Sequence, residues 1–381
     1  MKKFQSGKYI NQGYYKSFQP ATISKAWSID DMEVITLLSK ADRALGRLDM
    51  YSEYVNIDLF ISMHIAKEAT QSSKIEGTQT NMKDAFLNRE DVASEKRDDW
   101  EEVQNYISAM NEAVHLLHTL PFSSRLIKQT HKILMQGVRG QHKTPGEYRT
   151  SQNWIGGAAL SDAVFIPPSQ TSVNELMSDL EKFANDGLDT LPDLLKIALI
   201  HYQFETVHPF LDGNGRVGRL LITLYLVSKG ILKRPILYLS DFFERNKQLY
   251  YDNLMRVRTN NDLSQWFKFF LTGILETSKK GTETFDGILQ LQKSLDERIK
   301  SLKSRSGDAR KVIDHLFQRP IIDASKVAQI IEKRPATAYK LIESLEKLDI
   351  IKEITGAQRG KLYSFEAYLN LFEVGVIRKP K

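Results

Sequence analysis

Apolar residues recur at helical intervals along most of this chain. "SKADRALGRLDMY" (39–51), "LFISMHIAKEATQSSKIEG" (59–77) and "WEEVQNYISAMNEAVHLLHTL" (100–120) each read as an amphipathic helix with its apolar positions on one face. The first 120 residues therefore read as a helical N-terminal region. "SSRLIKQTHKILMQGVRG" (123–140) predicts a further helix, stopped by Gly137 and Gly140. The rhythm lapses over "KTPGEYRTSQNWIGGAALSDAVFIPPSQ" (143–170), which is rich in Gly, Pro and Ser. A long ordered loop is predicted there, with a short extended piece at Ala163, Val164, Phe165 and Ile166; loops of this length inside a compact domain are usually functional. Helices resume over 173–183, 192–205 and 216–228, the last ending at Gly230. "DFFERNKQLYYDNLMRVR" (241–258) and "LSQWFKFFLTGILETSKK" (263–280) complete the middle region. "FDGILQLQKSLDERIKSLKSRSGD" (285–308) predicts a connecting helix with a polar break near 304–308.

The last stretch is built differently. "ARKVIDHLFQRP" (309–320), "DASKVAQIIEKR" (323–334) and "PATAYKLIESLEKLDII" (335–351) predict three short helices. Asp323 is placed to cap the second, and Pro335 to open the third. "IIKEITGAQRGKLYSF" (350–365) alternates around a Gly-containing turn, as a β-hairpin does. Three helices and a hairpin are the order of a winged helix-turn-helix. The predicted architecture is mainly α, with an N-terminal helical region at 1–120, a core at 121–280, a connecting helix at 281–306 and a winged helix-turn-helix at 307–381.

A length of 381 residues suits two or three domains. The 41% hydrophobic and 26% charged content is that of an ordinary globular protein. Without cysteine there is neither a disulfide framework nor a thiolate metal site, which fits a reducing cytoplasm. The opening "MKKFQSGKYINQGYY" lacks an apolar h-region, and no apolar run approaches the roughly 20 residues of a membrane span. A soluble, cytoplasmic protein with no membrane partner is predicted.

The formal net charge of +6 is concentrated at the C-terminal end, where residues 301–381 hold 16 Lys and Arg against 10 Asp and Glu. Arg378, Lys379 and Lys381 account for half of that excess. A basic segment can meet nucleic acid or another acidic surface. The predicted recognition helix, "PATAYKLIESLEKL", nevertheless has Glu343 and Glu346 beside Lys340 and Lys347, and no arginine. Major-groove readers carry Arg, Asn or Gln there. Lys333, Arg334, Arg359 and Lys361 could touch phosphates. The composition favours protein contact or self-association over DNA.

Between two apolar helical segments stands "HPFLDGNGRVGR" (208–219). Its glycines, Gly213, Gly215 and Gly218, satisfy G-x-G-x-x-G, but a helix rather than a strand precedes them, which excludes the dinucleotide-binding reading. Helix, polar turn, helix makes another kind of phosphate site. Gly213 and Gly215 let backbone N–H groups approach an anion, and the helix starting near 214–216 favours negative charge at its N-terminus. Arg216 and Arg219, three apart, can clamp phosphate oxygens. Asp212 could hold Mg²⁺, which takes one or two carboxylates, waters and substrate phosphates. His208 stands just before the turn, where a general base is needed.

The run resembles the core motif of the Fic family, HPFx(D/E)GNGRxxR, at every defined position. The resemblance implies a Fic-type helical bundle with a small β-hairpin flap, and transfer of AMP from ATP to a Ser, Thr or Tyr hydroxyl of a target protein, or of the protein itself. It implies that His208 deprotonates that hydroxyl and that Asp212 binds Mg²⁺. Gly213, Asn214, Gly215, Arg216, Val217, Gly218 and Arg219 would cradle the phosphates. "PGEYRTSQNWIGG" and "AVFIPPSQ" resemble the segment leading into the family's flap, which would make Ala163, Val164, Phe165 and Ile166 a docking edge for the target. "RNKQLYY" resembles a family segment near the nucleotide, making Asn246 a candidate contact. Family members often form homodimers.

"SSKIEGTQT" places Glu76 at the end of a helical pattern, before Gly77, which reads as its C-cap. A carboxylate there opposes the helix dipole at a cost of about 0.3–1 kcal/mol. Either it is simply exposed or it reaches a cation elsewhere. Ser72 and Glu76 with Gly77 resemble the family's inhibitory motif, (S/T)xxxE(G/N), on a helix at about 60–77. The resemblance implies that Glu76 pairs with Arg219, removing a γ-phosphate ligand and misplacing the α-phosphate. Other readings are removal of AMP by the same site, transfer of another phosphate-containing group, and a DNA-binding regulator acting through the C-terminal segment.

Overall fold

The computed structural model describes residues 4–54, 56–137, 142–186 and 191–373; Gly140, Arg378, Lys379 and Lys381 lie outside them. The N-terminal region is not helical throughout. It opens with an antiparallel hairpin, β1 (Gly7–Asn11) and β2 (Lys16–Pro20). Each strand has only five residues, too few for alternation to stand out, yet Phe18 is driven into the interior. Helix α1 (Met32–Tyr54) begins seven residues before its predicted start, because the Asp31 carboxylate accepts from the N–H groups of Glu33 (2.9 Å) and Val34 (3.2 Å) and caps it.

Helices α2 (Ile61–Ile75), α3 (Arg97–Leu116) and α4 (Ser124–Leu134) follow. The Ser123 hydroxyl caps α4, which ends three residues before Gly137. After the long loop come α5 (Val173–Asn185), α6 (Asp193–Val207) and α7 (Asn214–Ser228). Residues 241–258, predicted as one helix, are two: α8 (Ser240–Arg245) and α9 (Lys247–Asn260) flank Asn246, whose ψ of 34° is not helical. Helix α10 (Leu263–Lys300) runs 38 residues without interruption, so the connecting helix is not a separate element.

Beyond a short 3₁₀ turn lie α11 (Ser306–Gln318), β3 (Ile321–Asp323), α12 (Ala324–Ile331), α13 (Pro335–Lys347), β4 (Lys352–Glu353), β5 (Leu362–Ser364) and α14 (Glu366–Glu373). The polar break falls at 301–305, slightly earlier than predicted. Asp323 caps α12 through the Lys326 N–H (2.7 Å), and Pro335 opens α13. The hairpin forms as an antiparallel β4–β5 pair, with β3 on the other side of β5. Glycine explains how α10 stays unbroken yet tightly packed. A Cβ on Gly281 would lie 2.9 Å from the Leu48 side chain of α1, and one on Gly287 2.9 Å from Leu371 of α14.

One continuous apolar core links these elements. Helix α6 is its axis, buried from Leu194 to Val207, with α7 packed beside it. Helix α2 lies against α3, α7 and α8. Its start also meets α11, where the Ser62 hydroxyl donates to the Gln318 carbonyl (2.6 Å) and the rings of Phe60 and Phe317 meet edge to face at 5.2 Å. Among the described residues no helix is long and apolar enough to cross a membrane.

Candidate active site

The loop between α6 and α7 is built from backbone conformations that its sequence dictates. His208 ends α6 in the left-handed region (φ 49°, ψ 61°), its N–H still bonded to the Phe204 carbonyl (2.9 Å). Pro209 disfavours the right-handed helical region for the residue before it, so the helix stops there. A left-handed histidine persists only if its surroundings hold it. They do: Arg149 Nε (2.9 Å) and Asn153 Nδ2 (3.1 Å) both donate to the His208 carbonyl. The Asn214 amide turns inward, donating to the Phe210 carbonyl and accepting from its N–H, both at 2.8 Å. Gly213 (φ 76°) then caps α7, where a Cβ would lie 2.6 Å from Met135 Sδ.

Asp212 is exposed, and its Oδ1 accepts from the Gly213 N–H (2.6 Å). His131 Nδ1 accepts from the Gly146 N–H (2.8 Å), so its Nε2 carries the proton donated to the Asp212 carbonyl (3.0 Å). The His131 ring stacks on Phe210 at 3.7 Å, and burial lowers its pKa to about 4. The first helical bond of α7 runs from the Val217 N–H to the Gly213 carbonyl (3.0 Å). The N–H groups before it have no intrahelical acceptor and face the turn.

The two arginines of the motif reach different carboxylates rather than one shared anion. Arg216 pairs with Glu102 of α3 (Nη1–Oε2, 3.0 Å). Arg219, 1% exposed, pairs with Glu76 at the end of α2 (Nη2–Oε1, 2.5 Å) and also donates to the Ser72 hydroxyl and carbonyl, each at 2.9 Å. Glu76 caps α2, and Gly77 follows at φ 107°. Burial works to raise the Glu76 pKa, but the Arg219 guanidinium overrides it and holds the carboxyl below its ordinary range. Lys247 Nζ donates to the Ile75 carbonyl (2.5 Å), a cation at the negative end of α2. Gly215 leaves the space that Glu76 occupies over the first turn of α7.

The His208 Nδ1 is buried and bonds no side chain among the described residues. Burial, then the guanidiniums of Arg258 and Arg149, push its pKa down to about 3, so it is neutral at physiological pH. Glu205, one turn earlier on α6, has a buried Oε1 with no partner among the described residues, and burial raises its pKa to about 7. A Cβ on Gly218 would overlap the Glu205 carboxylate and lie 3.1 Å from the Phe204 ring. Gly218→Ala is therefore expected to destabilise the protein by about 1–3 kcal/mol, read as a lower midpoint in urea unfolding.

The segment expected to be extended is narrower than a hairpin. Ile155 and Phe165 form a single antiparallel bridge, with bonds of 2.9 and 3.1 Å. Left-handed Gly156 and Gly157 and the 3₁₀ turn Leu160–Asp162 bend the chain between them. Phe165 is buried against Phe18 of β2, while Val164 is 67% exposed and Ala163 and Ile166 are half-buried. The Ile166 carbonyl accepts from the Phe18 N–H (2.9 Å), joining this segment to β2. Asn246 is half-buried, and its side chain donates to the Phe242 carbonyl (2.9 Å) beside Lys247.

Arg149, Asn153, His131, Glu102, Glu205 and Arg258 were not singled out by sequence reasoning, because no spacing ties them to the motif. Only "PGEYRTSQN" carried a hint, through its place in the long loop. Among the described residues no group of three or more His, Asp or Glu could hold a metal. A divalent cation would have Asp212 as a single carboxylate ligand, an arrangement that Mg²⁺ accepts when phosphates supply the remainder.

The sequence pattern of the Fic/DOC family N-terminal region matches residues 35–115, and that of the Fic/DOC family matches residues 121–226. A protein of Drosophila erecta named Protein adenylyltransferase Fic is 25% identical over 188 residues, covering 49% of this chain and 34% of the relative. One of the same name from Aedes aegypti is 31% identical over 125 residues, covering 32% of this chain and 22% of the relative. The chain thus spans about a third or less of the length of these relatives. Among solved structures, a Fic family protein from Desulfovibrio desulfuricans G20 superposes with a TM-score of 0.57 at 17% identity, covering 90% of this chain and 98% of the other. That likeness concerns the fold.

Proposed function

This chain being a Fic/DOC-family protein, we propose that it is an autoinhibited protein adenylyltransferase. It moves AMP from ATP to a Ser, Thr or Tyr hydroxyl of a protein target, or of itself, and releases pyrophosphate. The observation that carries the reading is a neutral His208 beside a glycine-rich helix start whose second arginine, Arg219, is occupied by Glu76 and Ser72.

In this reading the unprotonated imidazole of His208 takes the proton of the target hydroxyl as its oxygen attacks the α-phosphorus. The backbone N–H groups of Asn214, Gly215 and Arg216, which precede the first helical bond of α7, meet the phosphates, Gly213, Val217 and Gly218 shape the turn around them, and the helix N-terminus favours their charge. Asn214 contributes by holding the turn closed, and Asn246 supplies a further nucleotide contact. Mg²⁺, when bound, would neutralise phosphate charge, and Asp212 would hold it through the oxygen that Gly213 does not use. The segment at Ala163, Val164, Phe165 and Ile166, exposed at Val164, docks an extended target segment. With Glu76 on Arg219, the γ-phosphate lacks its guanidinium and the nucleotide cannot seat productively.

Mg²⁺ dependence is testable. Excess EDTA should abolish label transfer from α-labelled ATP, and Asp212→Ala should lower it at least about tenfold, equivalent to 1.4 kcal/mol of barrier. Undiminished transfer in EDTA would remove Mg²⁺ from the scheme.

For the C-terminal segment, a winged helix-turn-helix acting through protein contact, including homodimer formation, is favoured over DNA binding. The face of α13 carrying Tyr339, Glu343 and Glu346 lines a groove with Glu90, Asp91 and Asp323, opposed only by Arg359 and Lys361. Carboxylates outnumber cations there, which disfavours a duplex. Absence of duplex binding at low salt is the expected result.

A further inference from the structure

Two buried guanidiniums bracket His208, and neither forms an ion pair with a carboxylate among the described residues. Arg149 is 2% exposed and Arg258 6%. Arg149 donates from Nε to the His208 carbonyl (2.9 Å), from Nη2 to those of Pro168 (2.6 Å) and Val207 (3.3 Å), and from Nη1 to that of Ser151 (3.2 Å). Arg258, on α9, donates from Nε to the Thr206 hydroxyl (3.1 Å) and from Nη2 to the Glu205 carbonyl (3.2 Å). Its guanidinium carbon lies 3.9 Å from the centroid of the Phe165 ring. Each arginine therefore touches both the end of α6 and the segment 165–168.

We propose that Arg149 and Arg258 are positioning residues that fasten the target-docking segment to the His208 turn, so that base and docked hydroxyl are held in one register. The proposal rests on the reading of His208 as the base. Among the described residues these cations meet carbonyl and hydroxyl groups and, for Arg258 Nη1, the Met255 thioether (3.5 Å), a weak source of stability, since burying a charge without its counter-charge is costly. Their bonds instead fix geometry: Arg149 holds a left-handed histidine by its own carbonyl, and Arg258 stacks on the one buried ring of the docking segment.

A second consequence concerns protonation. The groups facing the imidazole are Arg149 from the long loop, Arg258 from α9, Glu76 from α2, and the Glu205 backbone from α6. Burial and the two cations lower the His208 pKa; Glu76 and the Glu205 backbone oppose them. A lowered value leaves the base neutral, and removing either cation raises it, moving the acid limb of activity to higher pH.

The test uses the full chain in the Glu76→Gly background, with Arg149→Met, Arg258→Met, Arg149→Lys and Arg258→Lys. The His208 signal in ¹⁵N-histidine NMR, assigned by its loss in His208→Ala, is titrated, and transfer from α-³²P-ATP is followed against pH. The Met variants should raise the His208 midpoint by at least one pH unit and shift the acid limb equally. The Lys variants should keep the low midpoint but transfer at least tenfold more slowly, because the fork is lost. An unmoved midpoint in folded Met variants, with transfer falling evenly at all pH values, would overturn the proposal. If the Met variants do not fold, full transfer in the Lys variants would overturn it. The NMR arm needs no turnover, so a low His208 midpoint in a parent that transfers nothing counts against adenylyl transfer and not against the positioning role.

Discussion

Glu76→Gly is expected to raise transfer of label from α-³²P-ATP at least about tenfold over the unaltered chain, equivalent to 1.4 kcal/mol. The Glu76 carboxylate is the only acidic group bonded to the buried Arg219 guanidinium among the described residues. Without it, Arg219 keeps only its two bonds to Ser72, from side chain and backbone, and its remaining N–H groups become available to a phosphate. The same change should lower thermal stability, because a buried guanidinium loses its counter-charge. Rising transfer with falling melting temperature is the signature; a general loosening of the fold would lower both. Acidification does not mimic the substitution near neutrality. The Glu76 pKa is lowered in the folded protein, so the pair is complete above the unfolded value and is lost only as pH falls through the folded one. Transfer by the unaltered chain should therefore stay low across pH 6–8, measured by the same labelling.

His208→Ala is expected to abolish transfer, in both the unaltered and the Glu76→Gly backgrounds, by about 10²–10⁴-fold, the range of general-base catalysis. The imidazole is neutral, and its Nδ1 is buried. The turn does not depend on the ring, because Arg149 and Asn153 grip the backbone carbonyl of residue 208. Loss of activity without loss of fold is therefore expected, checked by an unchanged far-ultraviolet circular dichroism spectrum. Transfer persisting in folded His208→Ala would assign the base elsewhere, and the buried Glu205 carboxyl would be the first group to test.

How much of this could be read in the sequence follows from how far apart the contributing residues are. The turn was legible because its glycines, Asp212 and both arginines lie within twelve consecutive residues between two apolar helices. Spacing put Arg216 and Arg219 within reach of phosphate oxygens but could not show the carboxylates that hold them here, Glu102 and Glu76. Glu76 lies 143 residues from Arg219, and no periodicity reports such a contact; only the resemblance of "SSKIEG" to a known motif did. Arg149 and Asn153 carried only the hint of "PGEYRTSQN" and Arg258 none, since they act largely by donating to backbone carbonyls, which every residue possesses. Helix boundaries failed for local reasons. The hairpin at 7–20 is too short for its alternation to be seen, Asp31 starts α1 early, and Asn246 splits a segment whose apolar spacing is continuous. Helix α10 spans what the sequence offers as two segments, 263–280 and 285–308, with Gly281 and Gly287 between and within them where Leu48 and Leu371 pack.

The central claim is that an adenylyl group, and no other part of ATP, passes to a protein hydroxyl. The most direct test incubates the Glu76→Gly chain with Mg²⁺ and ATP labelled at either the α or the γ phosphate, with and without candidate target protein, and follows protein-bound label. Label from the α position alone, absent with His208→Ala, is the predicted result. Label from the γ position, or α label that survives loss of His208, would contradict the account.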